Sequence, residues 1–169
     1  TASTFFIMDE GADSGDIIDQ QPITIAEDDD ASTLYAKMVE VAQGQINKIL
    51  PLLTQGNYLR VPQNHAIANT WRKRGKPDGE IDWRMSARNI HNLVRGLTHP
   101  YIGAHCVVEG KEYKVWKSRV VTSDKVENLE PGKLVAVDDL AIPTIKCGEG
   151  SIELLEVDPI LPVRDGDYL

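Results

Sequence analysis

Residues 101–169 carry five short β-prone runs joined by tight turns, with no room between them for helices. Glu109 and Gly110 separate "AHCVV" from "KEYKVWKSRVV", the two-residue signature of a hairpin. "GKLVAV", "LAIPTIKC" and "SIELLEV" follow at close spacing, the last two joined by Gly148-Glu149-Gly150. Strands this short and this numerous must close on themselves or stack, so the pattern predicts a small barrel or sandwich.

The front of the chain obeys a different rule. Thr4 to Met8 is apolar and aromatic, as a buried strand should be, and "DIIDQQPITI" has the β-branched content of a second strand. Pro22 favours an edge position or a bulge there. A helix is predicted next, capped by Asp30 or Ser32, with Leu34, Met38, Val41, Ile46, Ile49 and Leu53 at helical spacing. Pro51 is expected to end or kink it near its last turn. Two strands and one helix cannot cover both faces of an α/β sheet. Residues 1–54 therefore read as the tail of an α/β domain, whose other layers are expected from residues before Thr1.

Residues 55–100 read as a linker and a connecting helix. "TQGNY", "VPQNH" and "KRGKPDGEIDW" are rich in Gly, Pro and Asn and hold no sustained period. From Ser86, a capping residue, Ala87, Ile90, Leu93, Val94 and Leu97 form one apolar helical face, and Pro100 stops it. Residues 101–169 make the third segment.

Charge narrows the function. The net charge is −8, and nine Asp or Glu fall within the first 30 residues, whereas the first cation is Lys37. Such a surface repels phosphate backbones and disfavours broad nucleic-acid binding. The one basic cluster, "WRKRGK" from Trp71 to Lys76, reads as a solvated loop, with phosphate contact as its alternative. No apolar run approaches a membrane span and no leader is visible, which places the chain in the cytoplasm, away from membranes. Cys106 and Cys147 lack a CxxC partner and the four histidines lack ligand spacing, so buried free thiols and no metal are expected. His91 reads as a helix-surface or interface residue, and Trp83 and Trp116 as packing residues.

Three stretches together resemble one known family. "TASTFFIMDEGADSGDII" is similar to the segment of folate-dependent formyltransferases in which a Thr-rich strand precedes a Met-Asp-x-Gly-x-Asp-(Thr/Ser)-Gly loop. "DGEIDWRMSARNIHNLVRGLTHPYIGA" resembles that family's Ile-Asp-Trp segment and the helix after it. "KVWKSRVV", "PGKLVAV" and "IKCGEGSIELLEV" are similar to its C-terminal barrel. The order and spacing of the motifs cover nearly the whole chain. The resemblance implies the tail of a Rossmann-like formyltransferase α/β domain followed by a small C-terminal OB-like β-barrel.

It also implies chemistry. The co-substrate would be 10-formyltetrahydrofolate. The acceptor would be the amine of a nucleotide-linked amino sugar, of the kind used in lipid A modification, since "IHNLVRG", "KVWKSRV" and "IKCGEGSIEL" look closer to that branch. Methionyl-tRNA, with tRNA as partner, and another small amine remain alternatives, as does a non-catalytic binding module. By the resemblance, Asp13 pairs with a His supplied by the upstream part of the same enzyme, which also supplies an Asn. Asp9, Glu10, Gly11, Ala12 and Asp13 would line the folate pocket. Arg95 would contact nucleotide phosphate, or else serve the helix dipole or a carboxylate. Self-association is left open.

Overall fold

The computed structural model describes residues 1–121, 128–138, 140–162, 164 and 166–169. The chain divides into two compact units, Thr1–Asp29 with Thr33–Lys73, and Arg74–Leu169 with Asp30–Ser32.

In the first unit β1 (Ala2–Phe6) pairs antiparallel with β2 (Ile17–Pro22), Ala2 opposite Pro22 and Thr4 opposite Gln20. The strand begins and ends two residues before the expected Thr4–Met8. The register shifts between Phe5 and Phe6, Ile7 N–H reaches Asp16 O at 2.9 Å, and Met8 is 88% exposed. The ladder thus breaks where the acidic loop departs. At the other end Pro22, opposite Ala2, has no N–H to give, and Ile23 N–H carries the pairing on to Thr1 O (2.9 Å). The helix α1 spans Ala31–Thr54 and begins one residue after Asp30, so Ser32 lies inside its first turn rather than capping it. Asp29 ties the approach: its carboxylate accepts from Ala26 N (2.7 Å), Thr33 Oγ1 (3.0 Å) and Lys37 Nζ (2.6 Å). Pro51 sits inside the last turn, and Gly56 at φ +68° closes the C-terminus. Ile49 and Gln45 are buried, while Met38 and Ile46 of the expected apolar face are partly exposed.

In the second unit α2 (Ala87–Leu97) forms where the period, the cap and the stop agree. Ser86 Oγ accepts from Asn89 N–H at 3.2 Å, and Thr98 takes the C-terminal position two residues before Pro100. Its face of Ala87, Ile90 and Val94 is buried against a five-stranded sheet. Burying a side chain such as Ile90 contributes roughly 1.5–3 kcal/mol. The sheet comprises β3 (Ala104–Val108), β4 (Lys111–Val121), β5 (Leu134–Val137), β6 (Pro143–Lys146) and β7 (Ser151–Asp158), all pairs antiparallel, in the order β3-β4-β7-β6-β5. Glu109 and Gly110 join β3 to β4 with φ of 50° and 77°, the backbone a primed two-residue hairpin needs.

Among the described residues this sheet is open, not a closed barrel: β3 and β5 do not pair. Short irregular segments cover its two edges. Ile81 N–H donates to His105 O (2.8 Å) beside β3, and Leu134 N–H donates to Asp167 O (2.8 Å) beside β5. Trp83 is buried in the core, and Trp116 stacks on His99 with centroids 4.1 Å apart. Both cysteines are free and buried, and burial pushes each thiol up to about 11.

Candidate functional site

The loop between β1 and β2 is shaped by its short residues. Asp9 folds back on it: Oδ1 accepts from Gly11 N–H at 3.0 Å and from Ser14 Oγ at 2.6 Å. Those two bonds, the hydroxyl's first, hold the Asp9 carboxyl below its usual range. Gly15 is buried because the chain turns under the end of β1. A Cβ at that position would lie 1.7 Å from Ile7 O, so only glycine fits. Asp13 takes φ 55°, in the left-handed region that an Asp tolerates better than most residues. Its carboxylate is exposed and engages no hydrogen bond or ion pair among the described residues.

The structure therefore brings Asp9, Glu10, Gly11, Ala12 and Asp13 together on one exposed turn, and gives the two aspartates different positions. Asp9 builds the loop; Asp13 is presented by it. Arg95 belongs to the second unit, half-buried on α2, with its Nε donating to Asn92 Oδ1 at 2.8 Å. His91 reaches Ser118 Oγ through Nδ1 at 3.1 Å. From the basic cluster, Arg74 and Lys76 line a cleft of about 530 Å³ over Leu93, Leu97 and Tyr101, and Lys76 pairs with Glu112 at 2.5 Å.

One participant escapes sequence reading. Gln63, from a stretch that reads as linker, donates through Nε2 to Asp13 O (2.8 Å) and Gly15 O (2.6 Å). A backbone bridge between Ile17 and Val61 and an ion pair between Arg60 and Asp16 (3.1 Å) lay residues 60–63 along the loop. Val61, in "LRVPQ", is the only hint in the sequence, a β-branched residue before a proline. Among the described residues no group of three or more His, Cys, Asp or Glu could hold a metal ion, and no helix is long and apolar enough to cross a membrane.

The second unit, a helix seated on an open antiparallel sheet, coincides with a known domain: residues 74–161 match the model of the formyl transferase C-terminal domain. That match takes in more than half of the 169 residues, and the chain belongs to the formyl transferase family. Solved structures share the fold beyond that domain. HypX from Aquifex aeolicus in complex with tetrahydrofolic acid superposes with a TM-score of 0.69 at 18% identity, over 91% of this chain and 26% of that one. The N-formyltransferase from Helicobacter canadensis, in complex with folinic acid and dTDP-3-aminofucose, gives 0.67 at 20% identity, over 90% of this chain and 54% of that one. Methionyl-tRNA formyltransferase from Clostridium thermocellum gives 0.60 at 17% identity, over 72% and 51% respectively. The chain thus spans from about a quarter to about half of their lengths.

Proposed function

We propose that this chain is part of an enzyme that moves a formyl group from N10 of 10-formyltetrahydrofolate to the amine of a nucleotide-linked amino sugar. The observation that carries the reading is the Asp13 carboxylate: exposed, without a partner among the described residues, and held at φ 55°, in a chain of this family. Attack of a neutral amine on the formyl carbon gives a tetrahedral intermediate, and a proton must pass from the incoming nitrogen to the leaving one. An imidazole titrates in the right range for that transfer. In this reading Asp13 faces such an imidazole, contributed by residues outside this chain, and favours its protonated form. An Asn from the same source serves the oxyanion.

The loop backbone suits the folate. Asp9 satisfies its own turn, which leaves the exposed backbone at Glu10, Gly11 and Ala12 to face a flat ring. Arg95, steadied by Asn92, is assigned to nucleotide phosphate. Residues 1–54 are assigned to the catalytic α/β domain, 55–100 to the linker and the helix that packs on the sheet, and 101–169 to the OB-like module. The reaction is assigned to the cytoplasm and to the supply of sugars for lipopolysaccharide. The acidic balance of the chain supports a sugar nucleotide over tRNA, whose binding needs a positive face. The likeness to a structure holding dTDP-3-aminofucose supports it too.

The test is an assay of the intact protein with 10-formyltetrahydrofolate and either an amino-sugar nucleotide or methionyl-tRNA, across a salt series. Formylated sugar nucleotide, at a rate that changes little with salt, is expected. Formylation of the tRNA, weakening steeply as salt rises, would overturn the substrate class. The isolated 169-residue chain should give no turnover with either acceptor; turnover by it alone would remove the need for an outside imidazole.

A further inference from the structure

We infer that Gln63 is a positioning residue for the Asp13 loop, setting the direction of the carboxylate through two hydrogen bonds to the backbone on either side of Ser14. The inference rests on the reading of that loop as part of the catalytic site.

A left-handed residue that is not glycine is uncommon and persists where its surroundings hold it. Asp13 is such a residue, at φ 55°. On one side the loop is held by the end of β1: Ile7 N–H bonds Asp16 O, and Gly15 lies under Ile7 O with no room for a side chain. That anchor fixes residues 15 and 16. It leaves the peptide between Asp13 and Ser14 without a partner from β1 or β2. Gln63 Nε2 supplies one. Its two hydrogens match two acceptors, Asp13 O at 2.8 Å and Gly15 O at 2.6 Å, so a single planar group fixes both carbonyl directions. Ser14, between them, holds Asp9 at 2.6 Å, which couples the clamp to the rest of the turn.

The amide is itself delivered by a built segment. Ile17 N–H donates to Val61 O (2.8 Å) and Val61 N–H returns to Ile17 O (2.9 Å), a closed bridge two residues from Gln63. Gln63 is half-buried there, so its amide is less exchangeable with water than a surface glutamine's. Without the amide the Asp13 peptide can relax from the left-handed region, and the carboxylate swings with its Cα. A displacement near 1 Å at a catalytic group costs about 100-fold in rate.

The substitution to make in the intact enzyme is Gln63→Met, which keeps the length and removes both donors. It should lower kcat about 10- to 100-fold while KM for the acceptor changes less than about twofold, because the acceptor's own contacts are untouched. A carboxylate that no longer faces the imidazole raises its pKa less, so the limb of the pH–rate profile set by that group should move to lower pH, as it should in Asp13→Asn. Amide exchange at residues 11–16 should quicken, which reports the loop independently of turnover. Unchanged kcat and pH profile in Gln63→Met, beside an Asp13→Asn enzyme that has lost activity, would overturn the positioning role and leave the site reading intact. Normal activity in both variants would sink the site reading itself, and slow exchange in Gln63→Met would show that no clamp exists.

Discussion

Asp9 and Asp13 lie four residues apart on one loop and differ in what they can offer a substrate. Asp9 spends its carboxylate on Ser14 and Gly11, whereas Asp13 has no such engagement among the described residues. Asp13→Asn keeps the shape and removes the charge, so in the intact enzyme it should cost on the order of 100-fold or more in kcat, with a shifted pH optimum. Asp9→Asn retains an acceptor oxygen and should cost far less; comparing kcat for the two variants checks the division of roles. Gly15→Ala is a separate probe of the loop. Its methyl would meet a backbone oxygen rather than the mobile end of a side chain, so the loop must open, and both activity and melting temperature should fall. A Gly15→Ala enzyme with wild-type kcat would mean that the seat under Ile7 is irrelevant to catalysis. At this scale the Met-Asp-x-Gly-x-Asp-Ser-Gly order singles out Asp13 as a candidate in the sequence itself. Nothing singles out Gln63, because a side chain bonding backbone about 50 positions away leaves no period or spacing to read.

Elements whose signals are local came through the sequence intact. In α2 the apolar period, the Ser86 cap and the following proline all concern neighbours within a few residues, and each is realised. The same holds for the turn at Glu109-Gly110, whose two left-handed residues dictate the hairpin. Closure of the sheet is not local. Whether β3 and β5 meet depends on twist and on what else occupies their edges, and those edges are taken by residues 80–81 and 167–168, which carry no strand pattern of their own. Locality also makes α2 easy to tune. Gly96 sits in its last turn, where a Cβ would meet nothing within 4 Å. Gly96→Ala should therefore stabilise by about 0.5–1 kcal/mol, and Ser86→Ala should destabilise by about 1 kcal/mol, both measured by denaturant midpoint at constant m-value. Gly148 is the opposite case. Its N–H bonds both Trp83 O and Met85 O at 2.9 Å, and a Cβ would lie 2.0 Å from Arg84 O, so the β6–β7 turn and the segment leading into α2 are locked by the absence of a side chain.

Across the whole molecule, acid should act on both units in one pH window, because each relies on a carboxylate held in its charged form. In the first unit Asp29 is lowered to about 2, chiefly by the Lys37 ammonium and then by Ala26 N–H. In the second unit Glu112 is lowered to about 2 by Lys76 at 2.5 Å and Lys114 at 3.1 Å, and Asp82 to about 2 by Arg84. A carboxyl depressed in the folded state takes up its proton first in the unfolded chain. The stability it contributes is complete above the unfolded value, 4.5 for Glu112 and 3.8 for the aspartates, and drains away as pH falls toward about 2. His105 begins the decline earlier. It is buried beside β4 with Nδ1 unpartnered among the described residues, and burial lowers its pKa, with Lys114 and Lys76 acting the same way and Glu112 and Glu80 opposing. A base depressed in the folded state charges first when unfolded, so stability falls as pH drops below its ordinary 6.5. Melting temperature should thus slope gently downward from near neutrality and more steeply below pH 4.5. Glu112→Gln isolates one contribution. It removes the group that must be protonated and leaves Lys76 and Lys114 facing a neutral amide, so the variant should be less stable near neutrality and lose less on acidification. A thermal-melt series in which Glu112→Gln keeps the wild-type slope between pH 4.5 and about 2 would show that the Lys76–Glu112–Lys114 cluster contributes nothing to acid sensitivity.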